Sequence, residues 1–92
     1  MQVKTKPPLP LYHILCDQDG IVKIQLNDFT KKKYTIRFYE DDETFLFEIK
    51  EIKDANLMLE KSNFIHSGWF RSELYDNGKM IEKNRFFIPK DF

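Results

Sequence analysis

What the chain lacks narrows its reading quickly. One residue in 92 is cysteine, so neither an internal disulfide nor a cysteine-built zinc site is available. That suits a reducing compartment, and equally the many exported proteins that use no disulfides. Three glycines, Gly20, Gly68 and Gly78, lie far apart, which excludes a glycine-rich phosphate loop. No run of eighteen apolar residues exists, so no membrane-spanning helix is encoded. An excess of either charge is also missing. Fifteen Lys/Arg balance fifteen Asp/Glu, whereas a sequence-independent nucleic-acid binder carries a basic surplus. Two histidines, His13 and His66, are far apart with no ligand spacing, so no metal or other cofactor is expected.

What the chain has is aromatic bulk: nine Phe, four Tyr and one Trp. A domain of this size buries roughly 60–65% of its unfolded surface. Each buried aromatic removes roughly 150–250 Å² from water, so these residues supply a dense core. At 41% hydrophobic and 33% charged, the composition is that of a globular chain.

Residues 1–10 read as a flexible Pro-rich tail or linker, and residues 11–92 as one domain. Pro7, Pro8 and Pro10 remove backbone donors and favour an extended conformation. As written, Met1 to Lys6 leads into these prolines and not into an apolar h-region, so no export signal is expected. The chain would then be cytoplasmic if complete, and secreted or at the cell surface if it is an excised C-terminal domain.

From Leu11 onward, seven short runs rich in β-branched and aromatic residues are separated by turn residues. They are Leu11 to Cys16, Ile21 to Leu26, Tyr34 to Tyr39, Thr44 to Lys50, Leu57 to Leu59, Trp69 to Tyr75 and Met80 to Ile88. Apolar residues recur every second position, which no helix face maintains. Val22, Ile24 and Leu26 share one face, as do Tyr34, Ile36 and Phe38, and Phe45, Phe47 and Ile49. Only Ile49 to Lys61 is ambiguous and could also suit a single helical turn. Asn77-Gly78 is a strong signal for a two-residue hairpin turn, since type I′ needs positive φ at both positions. The predicted fold class is all-β: a single antiparallel β-sandwich of about seven strands.

Catalytic chemistry finds little support. His13 and Cys16 fall on opposite faces of a strand and would not meet, and no orienting third group or oxyanion motif accompanies them. Asp17-Gln18-Asp19-Gly20 lacks the ligands that complete a calcium loop and reads as a turn. Lys31-Lys32-Lys33 and Glu40-Asp41-Asp42-Glu43, at the two ends of one run, read as solvated turns. The acidic tip would also discourage edge-to-edge pairing. No enzyme is expected.

The candidate binding residues are Trp69, Arg71, Glu73 and Tyr75, which share the outer face if Phe70, Ser72 and Leu74 face inward. Tyr39 joins them, and Leu46, Met58 and Phe87 also fall opposite the inferred core. An outer patch of aromatics with Arg suits a protein or a carbohydrate contact. For Trp69 two placements stay open. The favoured one turns it inward at the start of its strand, capping the sandwich; the other leaves it on the outer face.

The stretches "DQDGIVKIQL", "YTIRFYEDDETFLFEI", "NLMLEKSN" and "SGWFRSELYDNGKMIEKNRFFIPK" together resemble a known family. From Gly20 to Ile88 the chain is similar to the C-terminal sorting domains of cargo proteins of the Bacteroidetes type IX secretion system. That family shows an alternating strand, an Asp-x-x-Gly turn, a short aliphatic run, a Gly followed by aromatics and a final hairpin. This chain departs from the pattern at three places. Leu11-Tyr12-His13-Ile14 stands for Tyr-Pro-Asn-Pro, Glu43 for a common turn Gly, and Gly68-Trp69-Phe70 for Gly-aliphatic-Tyr. The resemblance implies an immunoglobulin-like sandwich, no catalysis, and recognition by secretion machinery. The expected function is a non-catalytic module that binds a protein partner, with carbohydrate binding through outer-face aromatics, or a small standalone protein of the same fold, as alternatives.

Overall fold

The computed structural model describes residues 11–17, 20–27 and 33–90. The expected tail at residues 1–10, the turn residues Gln18 and Asp19, and Lys31 and Lys32 lie outside them. Seven strands follow one another: β1 (Tyr12–Cys16), β2 (Ile21–Leu26), β3 (Tyr34–Glu40), β4 (Phe45–Ile49), β5 (Asn56–Glu60), β6 (Gly68–Asp76) and β7 (Lys79–Ile88). A single 3₁₀ turn at Lys61–Asn63 directly follows β5. The ambiguous stretch before it is irregular up to β5, with Ile52 reaching into the core.

The strands form two antiparallel sheets, ordered β1-β2-β5 and β4-β3-β6-β7. The two sheets make an all-β sandwich in which the fourth strand pairs with the third, on the opposite sheet from β1, β2 and β5. The inner faces follow the period of two. Tyr12, Ile14, Val22, Ile24 and Leu26 from one sheet meet Tyr34, Ile36, Phe38, Phe70, Leu74, Phe86 and Ile88 from the other.

Side-chain hydrogen bonds close one edge between the sheets. The Leu11 N–H donates to both Glu82 carboxylate oxygens, at 3.1 and 3.0 Å, and Asn84 Nδ2 donates to the Tyr12 carbonyl at 3.4 Å. Backbone groups at the start of β1 are thereby satisfied by side chains of β7. Within the interior, the Tyr12 and Ser72 hydroxyls meet at 2.7 Å. Burial raises the Tyr12 phenol far above the ordinary tyrosine range, so this pair stays neutral.

A plug of aromatics fills one end of the sandwich. Phe64, in the loop between the 3₁₀ turn and β6, is buried with its ring 5.5 Å from Phe38, 5.4 Å from Phe47, 5.2 Å from Phe70 and 5.6 Å from Phe86. Offset and edge-to-face rings at such separations gain beyond their area burial. This core member comes from a loop, outside every period-two run.

Two β-bulges set what the larger sheet shows to solvent. Between β3 and β4, Phe38 faces Phe47 but Tyr39 faces Phe45, leaving Leu46 as the extra residue. The expected shared face of Phe45, Phe47 and Ile49 is therefore corrected. Phe47 and Ile49 pack on the core, while Phe45 crosses to the outer face and stands exposed. Leu46, expected outside, is partly buried against the core. Between β6 and β7, Leu74 faces Glu82 and Tyr75 faces Met80, with Ile81 as the extra residue. The turn between them is the expected two-residue one, with φ of 53° at Asn77 and 84° at Gly78.

Candidate functional site

The outer face of the β4-β3-β6-β7 sheet is built by the second bulge. Counting straight back from the Asn77-Gly78 turn would set Asn84 opposite Arg71. The extra residue Ile81 advances the register by one, so Arg85 faces Arg71 and Phe87 faces Trp69. All four then point outward, together with Glu73, Tyr75 and, from β3, Arg37 and Tyr39.

Trp69 is 44% exposed, which overturns the favoured inward placement. The physical reason is alternation. Gly68 already belongs to β6 and pairs with Ile88, so the pleat fixes Trp69 on the face opposite buried Phe70. The space at the end of the sandwich that an inward indole would have capped is filled by Phe64. Outside, the indole is held on two sides. The Arg85 guanidinium lies 4.2 Å from its ring centroid, and the Phe87 ring meets it edge-to-face at 5.2 Å.

Arg71 and Arg85, side by side, are bridged by the turn between β3 and β4. Asp41 takes Arg85 in a fork, with Nε and Nη2 each 3.0 Å from its two oxygens, and also accepts from Arg71 Nε at 3.3 Å. Glu43 accepts from Arg71 Nη1 at 3.3 Å. The two guanidinium groups, Arg85 first, hold the Asp41 carboxyl below the usual carboxylate range. Asp42 also sits low, because its carboxylate accepts from Thr44, whose N–H lies 3.0 Å away. The acidic tip is thus not simply a solvated turn, as expected: three of its carboxylates have structured partners and Glu40 has a fourth.

That fourth partner is His66. Its Nε2 bonds the Glu40 carboxylate, its Nδ1 bonds the Ser67 carbonyl at 2.6 Å, and its ring stacks on Phe70 at 4.8 Å. Both acceptors demand a proton from the ring, so the doubly protonated imidazolium fits this seat. The Ser67 carbonyl first, then Glu40, raises the His66 pKa above its ordinary value.

The turn has a definite geometry. The Glu43 N–H donates to the Glu40 carbonyl at 2.9 Å and the Glu40 N–H donates to the Thr44 carbonyl at 2.8 Å. Glu43 has φ of 75°. This is a three-residue hairpin loop with its last residue left-handed, a position that favours glycine. The conformation aims Asp41 and Glu43 back over the sheet.

The remaining outer residues form a second cluster. Arg37 Nε lies 3.2 Å from the Glu48 carboxylate, an ion-pair separation off the line of its N–H. Its guanidinium is 4.9 Å from the Phe45 ring and 5.8 Å from that of Tyr75. Tyr75 donates to Glu73 at 2.8 Å, and the Tyr39 and Phe45 rings meet edge-on at 5.7 Å. The Tyr39 phenol is pushed up to about 12 by burial first and by Glu73 second. Between the clusters lies a concavity of about 520 Å³, lined among others by Tyr39, Glu43, Arg71, Glu73, Lys83 and Arg85.

The five expected binding residues, Trp69, Arg71, Glu73, Tyr75 and Tyr39, thus share one face. Sequence reading missed Arg85, Arg37 and Asp41. Phe87 beside Arg85, and the alternation after the Asn-Gly turn, were the available signals, but the bulge at Ile81 hid the register.

The expected catalytic dead ends stand apart. His13 is exposed on the outer face of the smaller sheet, whereas Cys16 turns toward the core. Burial first, and Asp17 second, push the Cys16 thiol up, away from a reactive thiolate. Asp17 closes the β1–β2 turn: its Oδ1 accepts from the Ile21 N–H at 3.1 Å and its Oδ2 pairs with Lys23 at 3.2 Å. Among the described residues, no three of His, Cys, Asp and Glu are grouped as metal ligands would be, and no helix is long and apolar enough to cross a membrane. Comparison with protein-family models and with curated proteins finds no match to this chain.

Proposed function

We propose that the domain is a non-catalytic protein-recognition module whose contact surface is the outer face of the four-stranded sheet. The observation that carries this reading is the exposed Trp69 fixed between Arg85 and Phe87. Trp, Tyr and Arg dominate the energetics of protein interfaces, and an indole already held in place loses little freedom on binding. Carbohydrate stacking receives less support. A sugar needs an open aromatic face, and here Arg85 lies against the indole while Tyr39 is engaged edge-on by Phe45.

The sorting role implied by the resemblance to type IX secretion domains is the most specific form of this proposal. Two observations support it. Strands β2 to β7 run through the resembling stretch. Glu43 also adopts the left-handed conformation at the turn position where that family commonly has glycine. The test joins residues 1–92 to the C-terminus of a periplasmic reporter in a type IX-competent cell. Release into the medium, lost in Trp69→Ala with the fold intact by circular dichroism, is the expected result. Retention of the unaltered fusion overturns the sorting role, and unchanged release by Trp69→Ala overturns the assigned face.

A further inference from the structure

The facing pair Arg71 and Arg85 poses an electrostatic problem that the fold answers in an instructive way. Like charges directly opposite on neighbouring strands repel. The chain places a carboxylate between them, carried in from the β3–β4 turn, and that carboxylate finds fork geometry on Arg85 together with one bond from Arg71. Planar guanidinium groups match carboxylates in this way, and each offers more donors than Asp41 and Glu43 use.

We propose that the Arg71–Arg85 pair beside Trp69 is a seat for a carboxylate-bearing segment of a protein partner, which Asp41 occupies as an internal stand-in in the free domain. The inference rests on the outer-face reading above and adds the chemistry of the partner. Three features favour an exchangeable occupant over a permanent strut. The side chains of Arg71, Arg85 and Asp41 are 45%, 51% and 42% exposed, so solvent screens the pairs and little is lost when one carboxylate replaces another. Glu43, the second carboxylate, is 75% exposed and reaches Arg71 from a left-handed residue that glycine would occupy more comfortably. The concavity of about 520 Å³ adjoins both arginines, and the indole 4.2 Å from Arg85 offers an apolar landing beside the charge. The partner segment is therefore acidic, with an apolar side chain next to its carboxylate.

Trp69 is the chain's one tryptophan, so its emission reports this site alone. The probe is the blocked peptide acetyl-Leu-Glu-Glu-Leu-amide, titrated into the full chain at low salt, with the Gln-for-Glu peptide and inorganic phosphate as controls. Saturable change with the Glu peptide, weakening as salt rises, and little change with either control are expected. Asp41→Asn removes the internal competitor and should tighten binding roughly two- to five-fold, the range of an exposed ion pair. Arg85→Lys keeps the charge but not the fork, and weakens binding; Arg71→Gln with Arg85→Gln abolishes it in a chain whose melting is checked separately. Absence of binding, identical affinity in Asp41→Asn, or an equal response to phosphate overturns the proposal. Export that still requires Trp69 in that event preserves the outer-face reading while removing the acidic partner.

Discussion

The Tyr12 and Ser72 hydroxyls meet 2.7 Å apart in the interior, tying β1 of one sheet to β6 of the other. Both residues are essentially inaccessible to water, so neither hydroxyl has solvent as an alternative partner. Removing one partner leaves the other buried and unsatisfied, at a cost of about 1–3 kcal/mol, whereas removing both is nearly neutral in the hydrogen-bond account. Tyr12→Phe and Ser72→Ala are each expected to destabilise the domain, and the double variant by clearly less than their sum. Urea titrations of the four proteins measure the coupling. Additive losses would mean that the two hydroxyls do not bond in solution.

Phe64 gives a second prediction, because a loop residue here behaves as core. Its ring contacts rings from β3, β4, β6 and β7. Phe64→Ala is expected to cost about 3–5 kcal/mol, a large part of the stability of a small domain. Its neighbour Ile65 is 68% exposed, so Ile65→Ala should stay within about 0.5 kcal/mol. Thermal melting of the two variants separates the cases, and comparable losses would contradict the plug.

The contrast between Phe64 and the strands shows where the sequence was legible. Strand existence, the inner rows of β2 and β3 and the Asn77-Gly78 turn follow from period two and turn chemistry, which act over a few residues. Phe64 sits in a loop without a period, so only the neighbouring strands reveal its burial. Phe45 and Arg85 were hidden for another reason. A bulge costs one residue and flips every later side chain, and nothing local in "FLF" or "KMIEKN" announces it. Trp69 was misplaced inward because a large apolar residue at a strand start suggests a cap; the position of Gly68 within β6 decided otherwise. Alternation along β6 and β3 suffices to set Arg71, Glu73, Tyr75 and Tyr39 on one outer face, while the Asp41 bridge needs three-dimensional proximity across 30 and 44 positions of sequence.

His66 predicts how stability varies with pH. Its folded pKa is raised, by the Ser67 carbonyl first and Glu40 second, so the folded state favours the imidazolium. The sign follows: the stabilisation is fully present below the ordinary histidine value of about 6.5 and is lost as pH rises through the raised value. His66→Gln should flatten the fall in stability across that window. In proton-detected titrations, the His66 midpoint should drop in Glu40→Gln. A midpoint unmoved by that change would show that the carboxylate does not hold the ring.

Glu43 carries the final prediction. At φ of 75° a side chain with Cβ is strained by about 1–2 kcal/mol, which glycine avoids. Against that stand the larger freedom of glycine in the unfolded chain and the loss of one exposed contact to Arg71, worth about 0–1 kcal/mol. Glu43→Gly is therefore expected to stabilise the domain slightly, by about 0.5 kcal/mol. Glu43→Ala keeps the strain and loses the carboxylate, so it should fall below the natural chain. The order Gly, Glu, Ala in melting temperature is the diagnostic, because a merely electrostatic role for Glu43 would put Gly and Ala together beneath it. Gly and Ala melting alike would also remove the turn geometry that aims Asp41 at Arg71 and Arg85, and with it the physical basis for a preformed carboxylate seat.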